Sequence, residues 1–96
     1  RYVDVGKPVR RVAVGGGACA DMLELAYAQG CDTFVTSDVK YNQFLDAGAL
    51  EVNLIDAGHY PTENVVCSVL VQKLQLAFPE VDTLLTTRHK EAFSYL

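Results

Sequence analysis

Alternation constrains this chain most. Short runs of β-branched and apolar residues give way, again and again, to stretches with apolar residues at helical spacing, joined by glycine-bearing turns. RRVAV (10–14) reads as a strand. It is followed by GGGA and then a helical pattern over 21–29, with Met22, Leu25 and Ala26 on one face and Gly30 ending it. TFVTS (33–37) is a second strand, 40–47 a short helix stopped by Gly48, and VNLID (52–56) a third strand. The longest helix covers 61–78, with Pro61 in its first turn and Val65, Val66, Val69, Leu70, Leu74 and Ala77 as an apolar stripe. Pro79 ends it, VDTLLTT (81–87) reads as a fourth strand, and RHKEAFSYL is a tail. Strands that alternate with helices over short loops predict an α/β fold, a mostly parallel sheet with helices packed on it and right-handed crossovers. The short, nearly all-apolar strands suit a sheet covered on both faces. The expectation is one domain over residues 1–96, with residues 1–9, around GKP, as a linker.

Bulk properties narrow the function classes. A chain of 96 residues makes one small domain with a thin core. Half of it is apolar, which excludes disorder. The net charge of −4 comes without a basic stripe, so no nucleic-acid partner is indicated. No apolar run approaches the roughly 20 residues that span a bilayer, and no signal peptide is seen. Cys19, Cys31 and Cys67 lack CxxC spacing and read as free thiols of a reducing, cytoplasmic compartment. The first residue is Arg1, so the chain reads as a piece of a longer protein and a site on it as half of one.

In open α/β sheets ligands bind outside the carboxyl ends of the strands. Three such ends carry chemistry here: Gly15–Gly17 after the first strand, TSDVKY with Asp38, Lys40 and Tyr41 after the second, and DAGHYPTE with Asp56, His59 and Glu63 after the third. An imidazole and a carboxylate are ordinary ligands of Zn²⁺, Mn²⁺ or Fe²⁺, so His59 and Glu63 are candidate metal ligands. Structural roles fit the same residues: Glu63 as a helix cap, Asp56 as a turn-former, His59 as a packed ring. A catalytic metal also needs at least three protein ligands, and the other histidine, His89, lies in the tail. Gly15, Gly17 and Ala20 match G-x-G-x-x-A after a strand, with Asp38 as a candidate ribose-binding acid, so a dinucleotide-binding module is an alternative. A tight strand-to-helix turn explains the same glycines. Lys40 and Tyr41 are either an acid/base pair or a solvated cation beside a half-buried ring.

Together, RRVAVGGGACADMLELAYAQGCDTFVTSDVKYNQFLDA and VNLIDAGHYPTE resemble the C-terminal part of the NIF-three-like family, the GTP cyclohydrolase I type 2 homologues. The family pattern runs VAVCGGxG, DxxVTGDxKYH, DxGHxxTE, and DAGHYPTE is its most specific match. The resemblance implies an α/β fold, a centre of two divalent metal ions (Zn, Fe or Mn) and a hexameric ring. His59 and Glu63 would be metal ligands, and the remaining ligands would lie outside this chain, in the N-terminal part of the parent protein. It also implies that the segment follows an inserted domain. Ser37 replaces the glycine of TGD, Asn42 replaces the histidine after KY, and the cysteine before the glycine loop is missing. The expected function is the metal-binding lobe of a metal-dependent hydrolase, with Asp38, Lys40 and Tyr41 lining a pocket for a small anionic substrate such as a nucleotide or phosphoester. A non-catalytic metal-binding scaffold that forms a ring oligomer is the main alternative.

Overall fold

The computed structural model describes residues 1–94. Its elements are β1 (Tyr2–Val3), β2 (Val12–Val14), a 3₁₀ turn (Ala20–Met22) leading into α1 (Leu23–Ala28), β3 (Thr33–Thr36), α2 (Tyr41–Ala49), β4 (Asn53–Asp56) and α3 (His59–Ala77). One four-stranded sheet runs in the order β1-β4-β3-β2. β2, β3 and β4 are parallel, with Val14 beside Val35 and Thr36 beside Asp56. The α/β class and the mostly parallel sheet therefore hold, and the three parallel strands end along one edge.

The core is small. Ala20, Leu23, Ala26, Phe34, Val39, Ala47, Val52 and Leu54 are buried, with Val3, Ala13, Cys19, Cys31, Phe44 and Leu50 packed against them. β3 and β4 supply its centre because they are flanked by strands on both sides. β2 lies at the edge with Val12 and Val14 exposed, so double coverage does not extend to it.

Three expectations are corrected. Residues 81–87 form no strand. β propensity yields a strand only where a neighbour accepts the ladder hydrogen bonds, and β1 takes the place beside β4. That same strand lies within the stretch read as a linker. β1 is antiparallel to β4, and Asn53 secures the turn after it: its Oδ1 accepts from the Val5 amide at 2.9 Å. The apolar stripe of α3 is not core, because none of this helix's 19 residues is buried. Val65, Val66, Val69, Leu70 and Leu74 all stay substantially exposed. Boundaries also move. Gly48 lies inside α2, whereas Gly30 ends α1 at φ +75° as expected. The three cysteines are free thiols, each partly buried.

Candidate functional site

The carboxyl ends of β2, β3 and β4 release three loops that meet at the start of α3. Asp56, the last residue of β4, organises two of them. Its Oδ1 accepts from the Gly58 amide at 3.2 Å, an Asx turn, and its Oδ2 accepts from the Val39 amide at 3.3 Å. Arg1 also donates to Asp56. Burial pushes this carboxyl up, but the hydrogen bonds from Arg1, Gly58 and Val39 outweigh it and leave the group below its ordinary value of 3.8. The turn-forming role considered for Asp56 is thus the observed one.

Gly58, at φ +87°, caps α3 in a left-handed conformation that a side chain resists, and it places His59 in the first turn. His59 and Glu63, four residues apart, share one helix face. His59 Nε2 and Glu63 Oε2 are 3.0 Å apart, and His59 Nδ1 lies 2.7 Å from Asp38 Oδ2. Glu63 is the fifth residue of α3 and makes no capping bond, so the cap reading does not apply. The Asp38 hydrogen bond raises the His59 pKa above 6.5, partial burial opposes it, and the Glu63 charge adds to the rise.

The glycine loop backs this pair. A Cβ on Gly17 would come within 2.2 Å of Glu63 Oε1 and 3.3 Å of His59 Nε2, and Gly17 sits at φ +66°. Its amide donates to Thr62 Oγ1 at 2.9 Å, and its carbonyl accepts from Thr36 Oγ1 and the Ser37 amide, each at 3.0 Å. The loop is therefore bound to α3 and β3. It leads into a 3₁₀ turn rather than a helix N-terminus, and Asp38 is engaged with His59. These features work against a phosphate cradle at this loop.

A cleft of about 840 Å³ opens beside the pair, lined among others by Gly16, Asp38, His59, Thr62, Glu63, Cys67, His89 and Lys90. A smaller cavity of about 370 Å³ lies on the Asp38–Asp56 side of His59. Lys40 and Tyr41 line neither. Both are exposed at the start of α2, Tyr41 by 79%. The tail does reach the site: Tyr60 Oη donates to the His89 carbonyl at 3.0 Å, and the two rings meet edge to face at 5.1 Å. Sequence reading also passed over Thr36 and Thr62, whose hydroxyls hold the glycine loop. Their only signal was a polar β-branched residue, Thr36 at the end of β3 and Thr62 in the first turn of α3.

The donors suit a divalent cation. Tetrahedral ligands about 2.1 Å from one ion stand about 3.4 Å apart, so Nε2 and Oε2, in hydrogen-bonding contact at 3.0 Å, would part by only a few tenths of an ångström to hold one. The glycine behind them leaves the room a side chain would take. Among the described residues, no group of three or more His, Cys, Asp or Glu side chains is arranged to hold a metal. Asp38 and Glu63 address opposite ring nitrogens, so they do not converge on one point.

The model of the Duf34/NIF3 (NGG1p interacting factor 3) family matches residues 1–91. The chain belongs to this family. A Nostoc sp. (strain PCC 7120) relative, the "GTP cyclohydrolase 1 type 2 homolog", is 40% identical over 72 residues, which cover 75% of this chain and 27% of the relative. The crystal structure of Staphylococcus aureus protein SA1388 superimposes with a TM-score of 0.88 at 34% identity, covering all of this chain and 29% of that one. A Bacillus cereus protein related to NIF3 gives 0.73 at 29% identity, covering all of this chain and 28% of that one. This Duf34/NIF3 chain thus spans little more than a quarter of the relatives it matches. Among the described residues, no helix is long and apolar enough to cross a membrane.

Proposed function

We propose that this chain is the metal-binding lobe of a dinuclear, cytoplasmic, metal-dependent hydrolase acting on a nucleotide or phosphoester-like substrate. The observation that carries the reading is the pairing of His59 Nε2 with Glu63 Oε2 at 3.0 Å, against a glycine that leaves them room. His59 and Glu63 would hold a cation (Zn, Fe or Mn), with the other ligands coming from the parent chain. The relatives' name, a cyclohydrolase homologue, supports the nucleotide substrate class. When bound, such cations lower the pKa of water and offset charge on an anionic substrate. The chain's own residues do the rest. Asp56 fixes the two loops, Thr62 and Gly17 seat the start of α3, and Lys90 on the cleft wall offers a cation to an anionic ligand. A role for Lys40 or Tyr41 would have to come through a substrate reaching the start of α2; unchanged turnover in Lys40→Met removes it.

The first experiment is elemental analysis of the full-length protein, purified without chelators, beside its His59→Ala, Glu63→Ala double variant. About two metals per chain, as in two-metal sites, should fall clearly in the variant. No metal in either protein sinks the reading.

A non-catalytic metal-binding ring is the second reading, and one feature favours it. The apolar side of α3 is uncovered, as a surface awaiting the parent chain or another copy would be. A metal-loaded full-length protein that assembles but turns over neither nucleotides nor phosphoesters would support this alternative.

A further inference from the structure

We propose that Asp38 is the positioning residue of His59: its carboxylate accepts the Nδ1 proton, holds the ring in that tautomer and so commits Nε2 to a divalent cation. The inference rests on the metal reading above. It adds a residue that touches no cation yet sets how tightly one is held.

Three observations carry it. Asp38 Oδ2 lies 2.7 Å from Nδ1. An ionised carboxylate can only accept, so the ring nitrogen facing it carries a proton; Glu63 faces Nε2 in the same way, and a cation that takes the place of that second proton finds the lone pair on Nε2. Second, Asp38 sits at φ +52°, and among the described residues only one other non-glycine, Glu51, has a positive φ. Its neighbours hold it there. Ser37 and Val39 are both buried, the Ser37 amide donates to the Gly17 carbonyl at 3.0 Å, and the Val39 amide donates to Asp56 at 3.3 Å. With both flanking residues held inward, Asp38 turns its side chain out toward His59. A left-handed residue maintained by its surroundings at a site of chemistry points to a function for that conformation. Third, Asp38 and Glu63 lie on opposite nitrogens, so Asp38 supports a ligand rather than competing with one. Carboxylates that orient metal-bound imidazoles in this way raise metal affinity.

The test uses the full-length protein and zinc alone as the probe. Affinity is read by competition with a chromophoric chelator, and the His59 tautomer by ¹⁵N shifts of histidine-labelled protein. Asp38→Gly removes the carboxylate while tolerating the positive φ. Asp38→Asn keeps both the conformation and an acceptor oxygen. Asp38→Gly should weaken zinc binding by about 10–100-fold and let the ring offer either nitrogen to zinc, and Asp38→Asn should recover much of the loss. Wild-type affinity in Asp38→Gly, with zinc lost in His59→Ala, overturns the inference and leaves the metal reading standing. Zinc retained in His59→Ala overturns both. Should Asp38→Gly not fold, the zinc-loaded wild-type protein decides, and ¹⁵N shifts that put zinc on Nδ1 and the proton on Nε2 overturn the proposal.

Discussion

The hydroxyl of Ser37 is wholly buried and meets no hydrogen-bond partner among the described residues. The family pattern has glycine at this position, so the side chain brings a polar atom without an acceptor. Burying an unpaired hydroxyl costs about 1–3 kcal/mol. Ser37→Ala should therefore raise the unfolding free energy by about 1 kcal/mol, read as a higher urea midpoint at unchanged slope; a lower midpoint would show that the hydroxyl is bonded. Gly17 is the opposite case, a residue whose missing side chain is the feature that matters. Its place in a G-x-G-x-x-A motif suggested dinucleotide binding or a tight strand-to-helix turn, and the side chains a Cβ there would meet are Glu63 and His59. The motif was legible and its purpose was not, because glycine answers to any close approach of backbone and ligand or backbone and side chain.

At the scale of elements, the strand-end loops depend on Asp56. Its folded-state pKa lies below 3.8. The stabilisation from its ionised form is therefore complete above that value and is lost as the pH falls through the folded-state pKa. Stability should drop on acidification below about pH 4, and Asp56→Asn should be less stable at neutral pH with a shallower acid loss; a parallel acid profile in chemical denaturation would remove Asp56 from this role. The elements legible in sequence were those whose signal is local. The strands at 10–14, 33–37 and 52–56 and the three helices all appear within a few residues of their predicted bounds. Residues 81–87 had the composition of a strand but no partner, and Tyr2–Val3 had almost no signal but an open edge at β4.

At the scale of the whole molecule, the chain exposes 7247 Å², where a compact chain of this length would expose about 5,400 Å². Its radius of gyration of 16.7 Å likewise exceeds the roughly 13 Å of a compact 100-residue domain. Neither α3 nor the described segment after it, 78–94, contributes a buried residue. The exposed stripe of Val65, Val66, Val69, Leu70 and Leu74 should be covered in the assembled protein. Leu70→Asp with Leu74→Asp, made in the full-length protein, should lower its thermal midpoint or its assembly size by light scattering. If neither changes, the stripe stays in water.

The alternation of strand and helix from β2 to α3, the mostly parallel sheet and the pairing of His59 with Glu63 could be read from the chain alone. Each follows from periodicity or from spacing along one helix, which near neighbours encode. Only the tertiary structure could bring Asp38 to the far nitrogen of His59, set Gly17 behind Glu63, draw His89 to the cleft and leave α3 bare. These contacts join residues far apart in sequence. They depend on the register of three parallel strands and on which edges remain open, and no local pattern specifies either.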